Sequence, residues 1–160
     1  MLTAAASAYT MKGVENVLSQ HSEIQVVSNQ AADWDATKAR NLTATVLQQH
    51  PDLCASIGFW DVMDTGTAAA LKEAGREDVY LITSGGGAQM ACDNVKSGLF
   101  DYVVNYDVPT QGNDLNTMIR TLISQQTPAG ETKVILYSPT KIITADNVSD
   151  SLCWSLDALQ

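Results

Sequence analysis

Residues 50–87, HPDLCASIGFWDVMDTGTAAALKEAGREDVYLITSGGG, decide the fold. Leu53–Phe59 is a short apolar run of the kind that forms a buried strand. Asp61 to Ala74 then carries helix-forming residues, with Asp61 placed as N-cap and Gly75 as the C-terminal stop. DVYLIT, residues 78–83, is a second strand, and Ser84–Gly87 is a turn. A strand, a helix and a second strand in that order form a parallel unit.

The same alternation extends outward in both directions. Upstream, Val14, Val17 and Leu18 predict a helix over Met11–Ser22, and EIQVVSNQ (23–30) predicts a strand. A further helix opens near Asp33 or Asp35. It runs to about His50 on a stripe of Ala39, Leu42, Val46 and Leu47, and Pro51 ends it. Downstream come a helix from about Ala88 to Lys96 stopped by Gly98, the strand YVVNY (102–106), and a helix from about Thr110 to Gln125. That last helix has the cleanest stripe, Leu115, Met118, Ile119, Leu122 and Ile123. After a linker-like stretch at Pro128–Gly130, a late strand begins at Thr132 (TKVILY), and the tail past Ile143 reads as a strand end with one or two helical turns. The expectation is an α/β fold, a three-layer α/β/α arrangement with a mostly parallel sheet, as one domain over residues 1–160.

Composition narrows the function. The 160 residues carry 18 acidic and 9 basic side chains, a net charge of −9, which disfavours a nucleic-acid partner because phosphate binding draws on clustered Lys and Arg. Hydrophobic residues are 45% of the chain, enough for a core, and no apolar run reaches the roughly 18 residues of a membrane span. MLTAAASAYTMKG is not a secretory signal, so the chain is expected either to be cytoplasmic or to have lost its N-terminal part. Cys54, in LCASIGF, reads as a core residue. Cys92 and Cys153 sit in more polar, peripheral stretches; paired or free, both states stay open.

In an open parallel sheet ligands bind beyond the carboxyl ends of the strands. Those positions hold Trp34, then Trp60 and Asp61, then Ser84–Gly87, then Asn105, Tyr106 and Asp107. Flat aromatic faces with a few directed hydrogen bonds suit a small polar ligand with apolar C–H faces. Each also has a plainer role: the tryptophans as edge packing, Asp61 as a helix cap, SGGG as a flexible turn. The SGGG run lacks the Lys and Ser/Thr of a phosphate-binding loop. His21 and His50 stand at helix ends without partners at metal-ligand spacing, and no nucleophile–base set emerges, so neither a metal, a cofactor nor catalysis is expected. The triplets at Asn41 and Asn147 match glycosylation acceptors by a pattern too short to carry weight.

The stretch from Ala31 to Thr83 resembles the ribose-binding-like family of type 1 periplasmic binding proteins, the solute receptors of bacterial sugar ABC transporters. HPD (50–52), the strand-ending Asp61 with Gly66, LKEAG (71–75), VKSGL (95–99) and IITADN (142–147) carry the resemblance, which extends from about Tyr9 onward. It implies a flavodoxin-like lobe, the C-terminal ligand-binding half of a two-lobed protein whose N-terminal lobe is absent from this chain. It further implies a sugar or polyol held between lobes, docking on a transporter permease, and a periplasmic location for the full-length relative.

Family ligand contacts map onto Trp34, which keeps the aromatic that stacks on the sugar ring, and onto Asp61, which keeps the family Asp. Trp60 replaces a usual Asn, Gly85 replaces a usual Asp, Thr10 (or Tyr9) takes the place of an Arg, and Tyr106 or Asn105 takes that of a hinge-side Gln. With so many polar partners changed, ribose itself is not the expected ligand. The resemblance also has the chain near Tyr106 crossing to the first lobe, with the Thr110 helix packing there; a lobe lacking that partner is expected to self-associate as a homodimer. The competing reading is a freestanding flavodoxin-like enzyme or phospholigand-sensing module built on SGGG.

Overall fold

The computed structural model describes residues 4–137, 139–149 and 152–157. Its sheet has four strands in the order β1 (Ala55–Ile57), β2 (Tyr80–Gly85), β3 (Tyr102–Asn105) and β4 (Lys141–Ile143). The first three are parallel, with Ala55 opposite Tyr80 and Ile82 opposite Tyr102; β4 runs antiparallel, pairing Ile143 with Val103. Five helices occur among the described residues: α1 (Ala5–Leu18), α2 (Ala36–Gln49), α3 (Asp61–Glu73), α4 (Gln89–Lys96) and α5 (Val108–Ser124). This is the expected α/β class with a mostly parallel sheet.

Local chemistry sets most boundaries. Asp35 caps α2 by accepting the Lys38 N–H at 2.8 Å, and Pro51 lies just past its end. The helix α3 closes at Gly75, whose positive φ lets Arg76 N–H reach Leu71 O and Gly75 N–H reach Lys72 O. Gly98 repeats that closure on α4. Arg76 then donates to the carbonyls of Pro51 and Leu53, fastening the α3–β2 turn to the approach of β1. Where α2 crosses α3, a Cβ on Gly66 would stand 1.8 Å from the Ala36 carbonyl oxygen, so only glycine admits this approach.

One core joins the layers. Leu81, Val103 and Ile143 from the strands meet Leu71 of α3, Ala91, Cys92 and Val95 of α4, and Phe100 before β3. A disulfide links Cys92 to Cys153, deciding the alternative the sequence leaves open; Cys92 is fully buried rather than peripheral.

Two expected strands are not formed. Residues 23–30 form no strand and make no ladder with β1, and Ile24, Val26 and Val27 stay exposed. A strand buried on both faces needs a covering layer, yet α1 buries only Ser7, leaving a crevice of about 720 Å³ between α1, this segment, α2 and β1. Cys54, expected in the core, is exposed for the same reason: it leads into the edge strand and lines that crevice. Residues 132–137 likewise form no strand and stay exposed, because the place beside β3 is taken by Lys141–Ile143.

Smaller shifts have local causes. Helix α1 begins at Ala5, carried by the high helix propensity of its alanines, which show no apolar stripe. Helix α5 begins at Val108, with Pro109 in its first turn, where a missing N–H costs nothing. Past β4 the described tail carries turns and the short strap around Trp154. No described helix is long and apolar enough to cross a membrane.

Candidate functional site

Because β1, β2 and β3 run parallel, their carboxyl ends share one edge, and the residues beyond them converge there. Trp60 follows β1 and is half-buried. Trp34 arrives from the loop ahead of α2, where Asp33 and Trp34 both hold positive φ, 54° and 66°. A left-handed tryptophan is a costly conformation for a bulky side chain, tolerated where surrounding contacts fix it. Here an ion pair from Lys38 to Asp33 and the Asp35 cap hold the loop on both sides. The two indoles meet edge to face, with centroids 6.0 Å apart and planes at 74°. Trp34 stays 39% exposed, so the pair forms a rim facing solvent and is not interior packing.

Beside the indoles, the first turn of α3 sets two carboxylates against two strand ends. Asp61 lies one residue inside the helix; the N-cap is Trp60, so the expected cap is displaced by one position. The Asp61 side chain instead accepts the Val62 N–H at 2.8 Å and rests on Gly85, where a Cβ would stand 2.1 Å from Oδ2. One turn on, Asp64 rests on Gly58 and accepts the Thr83 hydroxyl. Burial pushes the Asp64 carboxyl up to about 6, opposed by the bonds from Thr83 and the Trp60 backbone and reinforced by the Asp61 charge. Burial likewise raises Asp61 above its ordinary value, against the pull of the Val62 N–H.

The end of β3 completes the edge. Tyr106 donates its backbone N–H to Gly85 O at 2.9 Å, fixing it beside the glycine turn. Asn105 is buried, and its amide is committed to internal partners: Nδ2 donates to Leu152 O and Oδ1 accepts Asp107 N–H. Gly87, at φ 79°, packs on that amide. Asp107 is paired with Lys141 at 2.9 Å, and this hydrogen bond lowers its pKa.

Of the residues singled out from sequence, Trp34, Trp60, Asp61, Gly85 and Tyr106 are thus joined through contacts at one edge, and Asn105 supports them from beneath. Thr10 joins none of these contacts: it is exposed on α1 and its hydroxyl donates to Ala6 O of its own helix. Sequence reasoning missed Asp64, Thr83 and Trp154. An Asp one turn after Asp61 on the same helix face was the available signal for the first. No group of three or more metal-ligating side chains occurs among the described residues. The arrangement can stack a flat face on the indoles, and it sets two buried carboxyl groups, Asp61 and Asp64, beside them.

An open α/β sheet of mostly parallel strands, with aromatic and acidic groups gathered at their carboxyl ends, is an architecture of the doubly wound type, whose ligands bind at that edge. The family profile described as "Periplasmic binding protein domain" matches residues 1–127, and the chain belongs to that family. Among curated relatives, the D-apiose import binding protein of Paraburkholderia graminis is 39% identical over 71 residues, covering 44% of this chain and 23% of the relative. The D-allose-binding periplasmic protein of Escherichia coli K12 is 33% identical over 86 residues, covering 54% and 28%. Among solved structures, GanP, a glucose-galactose binding protein from Geobacillus stearothermophilus, superposes with a TM-score of 0.81 at 21% identity over 92% of this chain and 51% of that one. The chain therefore spans about half the length of such structures, and the last comparison bears on fold alone.

Proposed function

We propose that this chain is the C-terminal lobe of the substrate-binding component of a bacterial ABC transporter for a sugar or related polyol. It holds its ligand against a second lobe and performs no chemistry. The Trp34–Trp60 rim carries the reading: two indoles, partly open to solvent, stand at the strand ends where a ligand's apolar ring face would stack. Asp61 and Tyr106 supply polar neighbours at the same edge. Curated relatives named for apiose, allose and ribose support the sugar class. A periplasmic location is supported by the Cys92–Cys153 bridge, since such bonds persist in oxidising compartments.

The second lobe is supported by α5, which buries none of its residues and leaves Leu115, Ile119 and Ile123 exposed along one stripe. Closure of the two lobes traps the ligand, and the closed form is the one that docks on the permease. A thermal-shift screen of pentoses, hexoses and polyols against a two-lobed protein carrying this chain tests the proposal. At least one such solute raises the midpoint in a saturable way; stabilisation by phosphorylated ligands alone would instead support a phospholigand sensor.

A further inference from the structure

We propose that Trp154, anchored by the Cys92–Cys153 disulfide, is a positioning residue that fixes the Gly85–Gly87 turn at the ligand-facing edge. The described tail ends in a strap laid directly on this turn. The Trp154 indole Nε1–H donates to Gly86 O at 2.8 Å and its backbone N–H to Gly87 O at 2.9 Å, while Gln89 N–H donates back to Trp154 O at 2.8 Å. Ala88 and Trp154 thereby form a parallel bridge. One residue earlier, Cys153 is bonded to Cys92 of α4, and Leu152 O accepts the Asn105 amide at 3.1 Å. Both carbonyls of the turn's second half are therefore held from one residue.

The turn needs such holding. Three consecutive glycines have the widest backbone freedom available, and each is here fitted to a neighbour: Gly85 to Asp61, Gly86 to Val108, Gly87 to Asn105. A displacement of the turn would move the surface on which Asp61 rests and the carbonyl that fixes Tyr106. The disulfide spans 61 residues of sequence and ties the strap to the buried face of α4, so the strap's position is set by a covalent bond to the core. This role rests on the reading of that edge as ligand-facing, but the geometry it predicts is measurable without any ligand.

Amide hydrogen exchange and carbonyl shifts of this chain, read by NMR, test it. Dithiothreitol, itself oxidised to its cyclic disulfide, delivers two electrons and two protons to Cys92 and Cys153. After reduction, and in Cys153→Ser, Gln89 exchange rises by roughly tenfold or more beyond any acceleration shared by Leu81 and Val103, which reports the global loss of stability. Trp154→Phe, which keeps the ring and the backbone strap but loses the indole donor, shifts the Gly86 carbonyl carbon and leaves Gln89 protected. Unchanged Gln89 exchange on reduction, an unmoved Gly86 resonance in Trp154→Phe, or equal acceleration at Leu81 and Val103 would each overturn the assignment. Should the strap behave as stated while the two-lobed protein binds no sugar, the strap stands and the receptor reading fails.

Discussion

The carboxylate of Asp61 fills the space that a side chain on Gly85 would need, with Oδ2 only 2.1 Å from where that Cβ would lie. These two positions, on different elements, therefore have to be chosen together. Where related receptors carry an Asp at the Gly85 position, as the resemblance implies, this chain lacks that carboxylate and keeps the one at Asp61 on α3. Gly85→Ala is expected to cost about 1–3 kcal/mol through overpacking. The Asp61→Gly, Gly85→Ala double variant is expected to regain part of that loss. Urea unfolding of the two singles and the double, read as a double-mutant cycle, checks it; strict additivity would show that the two positions do not compete.

Asp64 makes stability depend on pH. Its folded pKa, about 6, lies above the ordinary carboxylate value of 3.8, so its favourable contribution is complete below about pH 4. That contribution fades as pH rises through 6, when a charge must sit buried beside Thr83. The loss across this window is on the order of 2–3 kcal/mol. Exposed carboxylates with lowered values, such as Asp33 and Asp78, act in the opposite sense, so the difference between wild type and Asp64→Asn isolates the contribution of Asp64. Denaturant unfolding at pH 4 to 7 is expected to show Asp64→Asn gaining on wild type as pH rises. A constant gap would place Asp64 in a more hydrated site.

The 61-residue loop closed by Cys92–Cys153 restricts the unfolded chain, so reduction is expected to lower stability by about 2–4 kcal/mol. The oxidised and reduced chains, compared in urea, measure this. A thiol count on the denatured, unreduced protein should give one, Cys54 alone.

Helix α5 is expected to govern association. With Leu115, Ile119 and Ile123 uncovered, the chain by itself is expected to form a homodimer, and Ile119→Glu to return it to monomer with little change in stability. Light scattering behind size exclusion decides the matter. A wild-type chain that stays at 17.1 kDa at high concentration would show that the stripe does not drive self-association.

What the sequence made legible was local. The Asp35 cap, the stops at Gly75 and Gly98, and the strands at β2 and β3 each follow from a few adjacent residues whose chemistry admits one backbone. The topological rule then located the edge where Trp34 and Trp60 meet. What stayed hidden depends on partners far along the chain. Residues 23–30 have strand composition, but pairing requires a layer over them that α1 does not supply. Residues 132–137 have it too, and lose the place beside β3 to Lys141–Ile143. The seating of Asp64 on Gly58, the commitment of Asn105 to Leu152, and the strap of Trp154 are contacts between elements, with no periodicity to announce them.

On the proposed reading this chain supplies one wall of a clamp, so alone it is expected to bind monosaccharides weakly or not at all. Calorimetry showing micromolar binding to it would require a complete pocket within the chain.

The central claim, that the two indoles are the ligand-facing wall of a sugar receptor, is tested most directly by isothermal titration of the two-lobed protein with the solute that stabilises it. Trp34→Leu, with folding verified by circular dichroism, is predicted to weaken binding by about tenfold or more, a loss of at least about 1.4 kcal/mol. Unchanged affinity in Trp34→Leu and Trp60→Leu alike would contradict it.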